Sequence, residues 1–143
     1  MEKHYFFYGN QTVEFERPKV PEIIAKKGIK MSIVGSKYNF SIKQNDTLPY
    51  LEAQLIDADG NPINLDLCSV KFHMANFRGV VKIDRQAIIS NVENGEVKVE
   101  WQEGDTDAVG TYKCEFEVNM PDGKVITIPN DGYFLISIVA ELA

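Results

Sequence analysis

An all-β chain, folded as an antiparallel sandwich behind an N-terminal extended arm, is the architecture this sequence predicts, and three observations carry the prediction. From Lys37 onward apolar and polar residues alternate with the period of strands that bury one face. Glycine and proline punctuate those runs: Asp59-Gly60, Asn94-Gly95, Asp122-Gly123 and Asp131-Gly132 tolerate positive φ, while Pro49, Pro62, Pro121 and Pro129 cannot donate to a ladder. Between Lys37 and Val139 no amphipathic stretch is long enough for a three-turn helix.

Residues 1–35 follow other rules. Tyr5, Phe6, Phe7 and Tyr8 form an aromatic cluster, Val13 and Phe15 alternate with Glu14 and Glu16, and Pro18 and Pro21 then break the pattern. Glu22 to Lys30 fits one short helical turn or a loop, with Gly28 and Gly35 as punctuation. The stretch reads as an arm and linker ahead of a domain spanning 36–143. It has two destinations open to it, an edge hairpin on its own domain or a neighbouring subunit. Exposed aromatics in an extended segment otherwise invite aggregation.

The sandwich opens with Tyr38, Phe40 and Ile42, which alternate with Lys37, Asn39, Ser41 and Lys43. Leu51, Ala53 and Leu55 follow, with Glu52 and Gln54 between them; then come Val70, Phe72 and Met74, with Lys71 and His73 on the other face. Val97, Val99 and Trp101 alternate with Glu96, Lys98 and Glu100, and Tyr112, Cys114, Phe116 and Val118 with Lys113, Glu115, Glu117 and Asn119. Runs spaced in this way predict about seven to nine strands.

In Gly110-Thr111-Tyr112-Lys113-Cys114 a tyrosine stands two residues before a cysteine, just after the acidic turn Gly104 to Ala108. That is the spacing of a tyrosine corner, which makes the sandwich immunoglobulin-like and gives Tyr112 a structural role. The disulfide of such domains is not expected, because Cys68 falls just before the third strand and Trp101 comes far later. Both cysteines read as reduced core residues, with a disulfide or a reactive thiol as the alternatives. Neither has a Cys or His partner at zinc spacing.

A chain of 143 residues can bury about two thirds of its unfolded surface, so it needs no metal or disulfide to fold. Its 44% apolar and 25% charged residues are ordinary for a globular domain. The net charge is −6, and basic residues cluster no further than Lys26, Lys27 and Lys30, so the stripe that a nucleic-acid partner requires is missing. The aromatic run near the start is too short for a signal-peptide core, and no stretch of about 18 apolar residues could span a bilayer. The expectation is a chain with no membrane partner, kept in a cytoplasm or exported by a route other than secretion.

The most suggestive chemical motif is Asp57-Ala58-Asp59-Gly60-Asn61. As a calcium loop it fails where geometry is most demanding, with Pro62 at the sixth position and Cys68 at the twelfth. As a turn it fits: Asp59 and Gly60 reverse the chain and Pro62 keeps the exit extended. Glu103, Asp105 and Asp107 cluster in a polar loop where water would solvate them, unlike a catalytic pair held in a cleft. Of the two histidines, His4 lies in the arm and His73 on the polar phase of its strand, and neither suggests a nucleophilic triad. No catalytic, cofactor or metal site is expected. Trp101, Tyr50, Tyr133 and Phe77 could form an aromatic platform for a sugar, although Trp101 shares the core phase of Val97 and Val99.

Asn45-Asp46-Thr47-Leu48-Pro49, the run from Leu55 to Leu65, and Val70-Lys71-Phe72-His73-Met74 together resemble the N-terminal immunoglobulin-like domain of phage baseplate upper proteins from viruses of Gram-positive bacteria. Gly95-Glu96-Val97 with Trp101, Gly104-Asp105-Thr106, Gly110-Thr111-Tyr112, Glu115 to Val118, Asp122-Gly123-Lys124 and Ile128 to Tyr133 continue the likeness. The resemblance implies a virion building block without catalysis, in a baseplate, tail or neck adaptor. Its implied partners are other phage structural proteins and copies of itself, assembled in the host bacterial cytoplasm. Open sheet edges suit strand addition, and an arm reaching head to tail can close a ring. The alternative is a carbohydrate-binding module for host cell-wall saccharide. A small hydrolase is a third reading, which would need a cleft with two shielded carboxylates.

Overall fold

The computed structural model describes the backbone of residues 28–33 and the whole of residues 39–142. The aromatic cluster Tyr5 to Tyr8, Val13, Phe15 and His4 lie outside the described residues. Within them the chain forms ten strands: β1 Gly28–Ile33, β2 Asn39–Lys43, β3 Tyr50–Leu55, β4 Ser69–Ala75, β5 Val81–Gln86, β6 Ile88–Asn91, β7 Glu96–Val99, β8 Gly110–Asn119, β9 Val125–Ile128 and β10 Phe134–Val139.

Two sheets result. One has the order β1-β3-β7-β6, the other β2-β10-β8-β4-β5. The long β8 serves two partners along one edge: Gly110–Cys114 pairs with β10, and Phe116–Asn119 with the short β9. Pairing is antiparallel except for the two N-terminal strands, since β1 runs parallel to β3 and β2 parallel to β10. A short hairpin forces antiparallel order on the strands it joins, and neither of these pairs is joined by one. The fold is an immunoglobulin-like all-β sandwich.

Three elements bring the strand count above expectation. β9 is one, only four residues long. The chain also leaves one sheet for the other at Ala87, whose N–H donates to the Val70 carbonyl at 2.8 Å, so one extended run becomes β5 and β6. The third is β1, within the stretch read as arm and linker: the helical turn or loop expected up to Lys30 gives way to strand from Gly28, in register with β3 from Gly28 opposite Tyr50 to Ile33 opposite Leu55.

The alternating residues meet between the sheets. Phe40, Leu51, Leu55, Phe72, Met74, Phe116, Phe134, Ile136 and Ile138 are almost fully buried, each contributing about 1.5–3 kcal/mol by leaving water. Phe72 is the hub of the aromatic packing, with ring centroids 5.3 Å from Phe116, 6.2 Å from Trp101 and 6.4 Å from Phe134. Trp101 is buried beside Phe40, and its Nε1 donates to the Pro49 carbonyl at 3.0 Å, which ties the turn before β3 to the core.

Candidate functional site

The face of the larger sheet that points away from the core carries a ladder of polar side chains. Register places His73 of β4 opposite Asp84 of β5 on one side and Glu115 of β8 on the other. Its Nδ1 lies 3.1 Å from Glu115 Oε2 and its Nε2 3.4 Å from Asp84 Oδ1, which Lys71 Nζ also approaches at 3.4 Å. A neutral imidazole can donate to one carboxylate and an imidazolium to both. The side chains are partly exposed, so the pairs hold orientation more than they add stability.

One step along the same face, Lys113 Nζ lies 5.4 Å from the Phe77 ring centroid and 5.5 Å from that of Tyr133. The two rings meet edge to face, 5.9 Å apart. Phe77 sits at the tip of the β4–β5 hairpin, where Asn76 Oδ1 accepts from the Arg78 N–H at 2.8 Å and the Val80 N–H at 3.0 Å. Phe77, Val80 and Val81 are exposed there. Between tip and ladder lies a cleft of about 440 Å³, lined by His73, Ala75, Val81, Lys113, Glu115 and Tyr133 among others. That is within the usual size range for small-ligand sites.

The one thiol among the described residues that line the cleft is not set up as a nucleophile. Cys114 lies on the buried side of β8, and burial, with Glu115 second, raises its pKa well above the ordinary thiol value. It stays protonated. What the cleft offers is hydrogen bonding, charge and aromatic surface.

The aromatic set expected as a sugar platform is divided by the fold. Trp101 is core, and Tyr50 stands on β3 of the other sheet, with Lys98 Nζ 5.3 Å from its ring centroid. Phe77 and Tyr133 alone are brought together. The acidic loop also needs correction: Glu103 and Asp107 are exposed, but Asp105 is buried rather than solvated. Its carboxylate takes both arms of Arg85 and the backbone N–H of Gln102, and Arg85 Nη2 reaches the Glu100 carbonyl as well. Asp107 pairs with Lys82 at 2.6 Å.

Asp57 Oδ1 accepts from the backbone N–H groups of Asp59 and Asn61, both at 2.9 Å, and Gly60 takes φ +86°. The Asp57 carboxylate thus shapes the turn. Among the described residues no group of three His, Cys, Asp or Glu side chains converges as a metal site would require. The Tyr112 hydroxyl donates to the Ala108 carbonyl at 2.7 Å, the geometry of a tyrosine corner. Both cysteines are free thiols, Cys114 in the core and Cys68 only half-buried beside Met120, with sulfurs 3.6 Å apart. No helix among the described residues is long and apolar enough to cross a membrane.

Lys113, Asp84 and Arg85 were not singled out in the sequence. Period-two patterning marks Lys113 as outward-facing, but nothing local says which strands flank it.

A family model described as the BppU N-terminal domain matches residues 36–130. No curated protein matches the chain in sequence. Among solved structures, the N-terminal domain of ORF48 from phage TP901-1 superposes with a TM-score of 0.54 at 15% identity, covering 78% of this chain and 94% of that one. CopC from Methylosinus trichosporium OB3b gives a TM-score of 0.47 at 13% identity over 73% of this chain and 87% of that one, a likeness too loose to bear on the fold.

Proposed function

The chain belongs to the BppU (baseplate upper protein) N-terminal domain family, and from that membership we propose that it is a non-enzymatic structural protein of a phage virion, joining other parts of the particle in a baseplate, tail or neck. The observation that carries the reading is the family match over residues 36–130. The chain is then assembled in the host bacterial cytoplasm, and its partners are other phage structural proteins together with copies of itself in a homo-oligomer.

The sandwich supports such a role through its edges. Among the described residues the terminal strands β1, β6, β2 and β5 each pair on one side only, and a strand in that position can take an added one. Residues 1–35 act in this reading as the assembly arm ahead of the domain at 36–143. Tyr5, Phe6, Phe7, Tyr8, Val13 and Phe15 supply apolar anchors to a neighbouring subunit, and β1 continues the arm onto β3.

Deleting residues 1–27 tests the arm without removing any described strand. The truncated chain is expected to show a lower mass in light scattering and weaker incorporation into particles. Unchanged mass with unchanged incorporation would count against the arm, and normal baseplates after deletion of the whole gene would count against the structural role.

A further inference from the structure

We propose that the cleft between the β4–β5 hairpin tip and the His73 ladder is a binding subsite for a neutral saccharide ring, an activity separate from the assembly role. The cleft is not a bare apolar groove. Asp84 Oδ1 and Glu115 Oε2 are engaged by His73, while the second oxygens, Asp84 Oδ2 and Glu115 Oε1, accept no hydrogen bond among the described residues. Lys113 sits against two aromatic rings, which satisfy its charge in part and leave its N–H groups as donors. Acceptors, donors and apolar surface from Ala75, Val81 and Tyr133 therefore converge on one space of about 440 Å³.

The charge balance selects the chemical class. Two acidic side chains, Asp84 and Glu115, line the cleft against one basic one, Lys113, and Lys71 pairs with Asp84 from outside the lining, so the balance does not favour an anion. A polyhydroxylated ring suits that arrangement: its O–H groups donate to the free carboxylate oxygens, its oxygens accept from Lys113, and its C–H face covers the apolar wall. A nucleotide or phosphorylated ligand would bring charge repelled by the two carboxylates. An acidic peptide would meet the same repulsion. Fixing the acceptors through His73 preorganises them, which lowers the ordering cost of binding.

The test is saturation-transfer NMR on the full chain with methyl glycosides of glucose, galactose, rhamnose and N-acetylglucosamine. Transfer to the ring C–H protons of at least one is expected. Tyr133→Ala and Glu115→Gln should each weaken it about tenfold, the worth of one charge-assisted contact. Val125→Ser, on β9 at the far end of β8, should leave it unchanged. Trp101 fluorescence verifies that each variant is folded. No transfer from any glycoside, transfer unaffected in both cleft variants, or another virion protein cross-linked across Lys113 would overturn the proposal.

Discussion

Arg85 and Asp105 meet fork to fork, Nη1 to Oδ1 at 3.2 Å and Nη2 to Oδ2 at 2.5 Å, across the rim of the sandwich. The same carboxylate accepts from the Gln102 N–H at 2.7 Å, so one ion pair anchors the 102–105 turn to the edge strand β5. The side chains are 28% and 11% exposed, and removing one partner strands the other in a largely dry place. Arg85→Ala or Asp105→Ala should lower unfolding free energy by about 2–4 kcal/mol in urea titrations, less than a fully buried pair because Arg85 keeps some contact with water. The double variant should cost clearly less than the sum.

Tyr112→Phe keeps the buried ring and deletes the bond to the Ala108 carbonyl. A loss of about 1–2 kcal/mol is expected, read from the urea midpoint at unchanged slope. An unchanged midpoint would mean that the corner bond contributes nothing net.

Two glycines should respond differently to the same substitution. A Cβ on Gly95 would stand 2.7 Å from the carbonyl oxygens of both Leu55 and Ile63, at φ +65°, whereas one on Gly60 meets nothing within 4 Å at φ +86°. Gly60→Ala should cost about 1 kcal/mol, the conformational term alone. Gly95→Ala should cost at least about 2 kcal/mol, because backbone must shift as well. Thermal melts of the two variants, compared with the unsubstituted chain, check the order.

The two thiols should separate in a reactivity assay. Burial, and then Asp66 and Asp122, raise the pKa of Cys68, so its modification by iodoacetamide is slower than that of a free thiol and quickens with rising pH. Cys114 should react only after denaturation, since burial raises its pKa further. A raised folded-state pKa fixes the sign of the linkage. Its contribution to stability is complete below the unfolded thiol's pKa and is lost as pH rises toward the folded value. Mass spectrometry of labelled protein across alkaline pH reads the first effect, and urea midpoints over the same range read the second.

Most of the sandwich was legible because period two is a local property. Phe40 with Ile42, Leu51 with Leu55, and Tyr112 through Val118 show their buried phase to anyone reading along the chain. β1 had the same signature in Ile29, Met31 and Ile33 around Lys30 and Ser32, masked by Pro18 and Pro21 before it and by Gly28 at its start. Asp105 was read as solvated because its partner sits on a different strand, and burial of a charge depends on a contact that spacing does not reveal. The cleft was illegible for the same reason. His73, Asp84 and Glu115 come together only through the register of three strands, and of four suspected aromatics only Phe77 and Tyr133 fall on one side of one sheet.

Quantitative mass spectrometry of density-purified particles, from cells that encode the chain, tests the structural role most directly. The chain is expected in those particles at a fixed, reproducible ratio to the tail proteins. Its absence from purified particles while abundant in the lysate that produced them would contradict a place in the virion.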